Sequence, residues 1–152
     1  MSTQVIVTPG VSIVTFNNVA VSHQNTFICE VFEQSAEAGI NIDMISQAPA
    51  ASEKISFGFT FSDEDMPKLI GIINRISRNL TPMINVGNVK LTVKSDEMIN
   101  NTGFASKVMA VLKARDCLPL LVTTGLDEIS LLVYESECAD LERKLKEVFN
   151  SA

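Results

Sequence analysis

The sequence predicts an α+β protein made of two copies of one unit. Each copy is a four-stranded antiparallel sheet with two helices on one face, in the order βαββαβ. Three observations carry this: apolar positions recur at a fixed offset, strand-type and helix-type patterns follow in the same order in both copies, and a spare strand precedes the first copy.

The offset is 77 residues (91 − 14). At that shift Val14 and Phe16 fall on Leu91 and Val93, and Thr26-Phe27 on Gly103-Phe104. Val31-Phe32 meets Val108-Met109, and Ile45-Ser46 meets Val122-Thr123. The following loop is longer in the first copy, after which Ile55-Ser56 falls on Ile129-Ser130. No pair is decisive alone, but order and spacing agree, and two copies of one supersecondary unit is the economical account.

In the first copy "VSIVTFNNVAV" alternates as a strand, and "NTFICEVFEQSAEAG" has helical spacing through Phe27, Val31 and Ala38. Asn25 or Thr26 suits the helix cap and Gly39 the helix stop. Residues 40–47 and 54–61 are the next strands, with "APAASE" as the turn. Within the first of these, Ile40 and Ile42 alternate against Asn41 and Asp43, but Met44 and Ile45 then stand side by side. "SDEDMPKLIGIINRISRN" opens with a capping serine, acidic residues and Pro67, and Leu69, Ile73 and Ile76 form its buried stripe. A strand near 83–87 completes the unit.

The second copy runs "NVKLTVK", "TGFASKVMAVLKARD", "LPLLVTT", "EISLLVY" and "SECADLERKLKEVF", the last with Leu141, Leu145 and Val148 on one helical face. It has no sixth element, while "TQVIVT" near the start is a strand without a unit. The expectation is therefore a first unit over 9–87 and a second over 88–152, completed by the N-terminal strand within 1–8. The two would be interlocked, and neither half should fold well alone.

Composition narrows the function classes. The chain has 152 residues, 46% of them apolar and 20% charged, enough for real cores. Its net charge is 12 − 18 = −6, which gives no electrostatic footprint for a phosphate backbone or an anionic membrane. No apolar run approaches the ~18 residues of a membrane span, and "MSTQVIVTPG" does not read as a signal peptide. Cys29, Cys117 and Cys138 are odd in number and scattered, as in a reducing cytoplasm. His23 is the sole histidine, so no metal site or catalytic triad is expected, and no cofactor.

"AEAGINIDMISQ" closely resembles the corresponding stretch of the first ACT domain in the regulatory half of aspartokinases. "EKISFGFTF" follows at the spacing of that family's Ile-Ser-Phe strand. "TGFASKVMAVLKA" is similar to its second ACT helix, and "VTTGLDEISLLV" keeps the spacing of its Ser/Thr-rich turn. The resemblance covers nearly the whole chain and implies two ferredoxin-like ACT units. Nothing resembles the aspartokinase catalytic domain, so it implies a regulatory half, or the small regulatory subunit some bacteria make from it, and no phosphoryl transfer by this chain. It further implies a free amino-acid effector, lysine or threonine, a homodimer formed through sheet pairing, and a catalytic aspartokinase subunit as a partner. No nucleic acid or membrane is expected.

In such domains the amino acid sits between the first strand-to-helix loop and the second strand of a neighbouring unit. Its carboxylate suits N–H groups at a helix start, and its ammonium a carboxylate or amide oxygen. Carried onto this sequence, the resemblance points to Gln24, Asn25 and Thr26 with Asn41, Asp43 and Gln47. In the second copy it points to Asn101, Thr102, Gly103 and Ser106. The plainer alternatives are that Asn41 and Asp43 cover a solvent face, and that "NNTG" is an ordinary turn before a capped helix. One departure matters: the family's first loop reads Asp-x-Pro-Gly, whereas here Ser22-His23-Gln24-Asn25-Thr26 has neither proline nor glycine. This loop would then bind a different ligand or none, which leaves open a structural or interaction module without an effector. His23 is expected to be a solvated loop residue, and "SDEDM" to be capping rather than a metal cluster.

RNA-recognition motifs share the βαββαβ order and carry aromatics on the third strand, where "KISFGFTF" sits. Their signature places a basic residue and glycine just before the first aromatic, and Lys54 stands too far from Phe57 for that. Phe57, Phe59 and Phe61 share one strand face, the only apolar one, so they are predicted as core and not as a base-stacking platform.

Overall fold

The computed structural model describes residues 3–20, 24–76 and 81–149. The chain divides into two compact units: Gly10–Val86, and Gly87–Ala152 together with Met1–Pro9. The elements are β1 (Gln4–Ala20), α1 (Gln24–Glu37), β2 (Ile45–Gln47), β3 (Lys54–Ser62), α2 (Met66–Ile76), β4 (Met83–Lys94), α3 (Phe104–Ala114), β5 (Leu121–Thr124), β6 (Glu128–Tyr134) and α4 (Glu135–Val148). Short 3₁₀ turns precede α2 and α3.

In the Gly10–Val86 unit the strand neighbours run β2-β3-β1-β4. β1 and β3 are antiparallel, with Val14 opposite Phe59 and Phe16 opposite Phe57. The period of two in "FGFTF" puts Phe57, Phe59 and Phe61 on one face, where all three are buried with Val14 and Phe16. Phe27 and Val31, one helical turn apart on α1, and Leu69, Ile72 and Ile73 of α2 close that face. Phe16 stacks on Phe57 at 4.9 Å and meets the edge of Phe27 at 5.2 Å. Such pairs contribute about 0.5–1.5 kcal/mol each beyond the area they bury. The aromatics are core, as the alternation requires.

Gly39 ends α1 as expected. At φ +77° it lets its own N–H reach the Ala36 carbonyl at 3.0 Å while Ile40 N–H reaches Ser35 at 2.9 Å. The opening of α2 differs from expectation. A 3₁₀ turn over Asp63–Asp65 comes first, and Ser62 makes no side-chain capping bond. Asp63 instead accepts from the buried Ser12 hydroxyl, and Asp65 lies 3.7 Å from Lys68. The acidic run serves those contacts.

In the other unit the neighbours run β1-β4-β6-β5. Leu91 faces Leu131 and Val93 faces Ile129, and these are buried with Phe104, Val108, Leu141 and Leu145. Val5 and Val7 of β1 pack against the same core. Phe149, stacked on Phe104 at 4.7 Å, takes the place assigned to Val148, which is exposed. Thr3 donates to Ser95 (3.0 Å), and Ser95 N–H reaches the Asp127 carbonyl (2.8 Å), so three chain segments meet at one buried serine.

Two pairs of expected strands are each one strand. The segments near 3–8 and from 11 onward are both β1, and those near 83–87 and 88–94 are both β4. Gly10 and Gly87 adopt φ +68° and +73°, and the strands absorb them without ending. Glycine tolerates that conformation without a Cβ penalty, so neither residue ends its strand.

Candidate functional site

The candidate residues fall into two groups, one in each unit. In the Gly10–Val86 unit the approach to β2 is irregular. The strand expected over 40–47 shrinks to Ile45–Gln47, with Ile45 opposite Phe59 and Gln47 opposite Phe57. Just before it, two residues share one partner. Asp43 N–H donates to the Thr60 carbonyl (3.1 Å), and Thr60 N–H donates to the Met44 carbonyl (2.9 Å). Met44 N–H, displaced from the ladder, donates to Thr60 Oγ1 (2.9 Å).

Two residues opposite one is a β-bulge. The extra residue falls at Asp43 and Met44: Met44 is buried, while its neighbour Ile45, back in regular pairing opposite Phe59, is exposed. Ile40 is buried and Ile42 packs against the same core, while Asn41, Asp43 and Gln47 are exposed. Thr60 is fully buried. It was not among the expected site residues, and no local pattern in the sequence points to it.

α1 begins at Gln24, so Asn25 and Thr26 lie inside its first turn and do not cap it. Thr26 is exposed. His23, and the side chains of Gln24 and Asn25, lie outside the described residues. No acidic side chain occupies the first turn of α1.

In the second group the loop from Ser95 to Gly103 leads into α3. Ser95 Oγ accepts from Glu97 N–H (3.3 Å), and its carbonyl from Met98 N–H (3.1 Å). Asn101 Oδ1 accepts from Gly103 N–H (2.9 Å), and the Asn101 carbonyl from Phe104 N–H (3.2 Å). Asn101 thus organises the turn before the helix, as the plainer reading expects of it. Gly103 is the N-cap, and a Cβ there would lie 3.4 Å from Asn101 Oδ1. Thr102 and Ser106 are exposed beside it.

Two of the cysteines are held as thiols. Cys117 donates to Glu137 Oε2 (3.1 Å), and burial, then that bond and the carboxylate's charge, push its thiol up to about 12. The Cys138 thiol is raised as well, chiefly by burial. Both are poor sources of thiolate. Among the described residues no group of three histidine, cysteine, aspartate or glutamate side chains is placed to hold a metal, and no helix is long and apolar enough to cross a membrane.

An antiparallel sheet carrying four helices defines the class by fold: the chain has the architecture of aspartate kinase regulatory regions. No family model matches the sequence. The regulatory subunit of aspartate kinase from Thermus thermophilus, in its ligand-free form, superposes with a TM-score of 0.85 at 14% identity, over 95% of this chain and 96% of that one. E. coli aspartokinase III in complex with lysine and aspartate (T-state) gives 0.72 at 18% identity, over 95% of this chain and 32% of that one. In sequence, an aspartokinase of Geobacillus stearothermophilus is 26% identical over 125 residues, which is 82% of this chain. The chain spans 30% of that relative's length.

Proposed function

We propose that this chain is a non-catalytic, amino-acid-binding allosteric regulatory protein of two ferredoxin-like ACT units, of the kind that controls aspartate kinase. The observation that carries the reading is the match, over nearly the full length of both chains, to a protein that is itself a regulatory subunit. The effector is lysine, the amino acid in complex with the similar E. coli aspartokinase III together with aspartate, or else threonine. Asp43, Asn41 and Gln47 supply the oxygens an ammonium group needs. The starts of α1, with Thr26, and of α3, with Asn101, Thr102, Gly103 and Ser106, supply N–H groups for a carboxylate.

Effector binding acts through differential affinity for two arrangements of the protein. Among the described residues β2 and β5 each have a single strand neighbour, which supports a homodimer formed by sheet pairing at such an edge. A catalytic aspartokinase subunit is the partner that reads the change, in the cytoplasm. A second reading, an interaction module without an effector, is favoured by the absence of proline and glycine from residues 22–26.

Calorimetric titration of the purified chain with each standard amino acid separates the two. Saturable binding of one, weakened in Asp43→Ala by a large but still measurable factor, supports the sensor with its site in the first copy. Binding that survives that change and fails in Asn101→Ala moves the site to the second. Silence across the panel supports the module.

A further inference from the structure

We propose that Thr60 is a positioning residue for the effector site: its hydroxyl holds the bulge that presents Asp43. This rests on the sensor reading above and deepens it. Thr60 uses its N–H, its carbonyl and its side-chain oxygen on the two residues Asp43 and Met44. The hydroxyl has a specific task. In a bulge one N–H leaves the ladder, and here that N–H, on a buried methionine, is taken up by Thr60 Oγ1.

Without that acceptor the two-on-one pairing leaves a buried donor unpaired, and one-on-one pairing becomes the alternative. A one-residue slip in a strand moves every side chain to the opposite face. Ile40 and Ile42 would leave the core, and Asp43 would no longer sit where the bulge puts it. Either outcome, a disordered bulge or a slipped strand, misplaces the carboxylate without altering it. Thr60 itself is buried and touches no ligand.

The test is a double-mutant cycle on the intact chain, with affinity read by calorimetry against lysine and threonine and folding checked by circular dichroism. Thr60→Val keeps the shape and removes the hydroxyl. It is expected to weaken binding about tenfold, the worth of one buried hydrogen bond. Thr60→Ser, which restores the oxygen, is expected to recover most of that loss. In an Asp43→Ala background Thr60→Val is expected to change affinity by less than about twofold, because it acts through a carboxylate already gone.

Thr60→Ala is carried in parallel in case valine prevents folding. Parent-like affinity in a folded Thr60→Val overturns the proposal, as does a loss of equal size in the Asp43→Ala background. A parent chain that binds neither amino acid overturns the sensor reading for these effectors, and the role of Thr60 with it.

Discussion

The two copies end their first helices by the same device with different residues, and this allows a sharp test. Gly39 sits at φ +77°, and Asp116, 77 positions later, at φ +48°. Around Asp116 the Cys117 N–H reaches the Leu112 carbonyl at 3.0 Å and the Asp116 N–H reaches Lys113 at 3.1 Å, the same two bonds seen around Gly39. A Cβ at residue 39 would meet nothing within 4 Å, so Gly39→Asp costs conformational energy only. A left-handed residue bearing a Cβ costs about 1–2 kcal/mol. Removing glycine from the unfolded chain returns about 0.5–1 kcal/mol. The net is a loss of about 0.5–1 kcal/mol for Gly39→Asp, and a gain of similar size or smaller for Asp116→Gly. For a chain of this length that is a shift of about 1–4 °C in Tm, in opposite directions. Urea unfolding followed by circular dichroism, with m unchanged, measures it. A destabilised Asp116→Gly, or an unaffected Gly39→Asp, would refute the argument that backbone conformation and not side-chain contact governs both caps.

Three further outcomes follow from other contacts in the structure. A Cβ at Gly58 would lie 2.9 Å from the Val14 carbonyl oxygen, a backbone atom that cannot step aside. Gly58→Ala should therefore cost about 1–3 kcal/mol by crowding β3 against β1, and a neutral result in urea unfolding would contradict the register. Cys117 binds its proton more tightly folded, at about 12, than at its ordinary 9.0. The stability this supplies is intact below pH 9 and is withdrawn as the pH climbs from 9 toward 12. Alkaline unfolding of Cys117→Ala should lack that component, and at pH 8 the exposed Cys29 should alkylate well before Cys117.

Much of the fold was legible because its signals are local and periodic. Phe57, Phe59 and Phe61, the Phe27/Val31 pair and the Leu141/Leu145 pair each state their own face. What escaped depends on partners far along the chain. The start of the second strand dissolved because the group that stabilises its bulge, Thr60, lies 16 residues from Met44, beyond the reach of alternation. Ser62 looked like a cap, but its neighbour Asp63 was committed to Ser12 across the sheet. The strands expected on either side of residues 9–10 and of 87/88 proved continuous, because local pattern cannot say whether a left-handed residue such as Gly10 or Gly87 ends a strand. Of the candidate site, the sequence offered exposed polar positions before and on β2 and near the start of α3. The local role of Asn101, and the bulge behind Asp43, needed three-dimensional partners to appear.

The division of β1 has a consequence during synthesis. Val5 and Val7 are translated well before the core they join, which includes Val89, Leu91, Phe104 and Leu145. At roughly 5–20 residues per second, on the order of ten seconds passes before that core is translated. Throughout that interval the strand "QVIVT" waits without its own sheet, while the residues of the other unit, made in between, can already close on themselves. This strand is thus an adhesive segment made early and used late, open to other partners until its own core is complete.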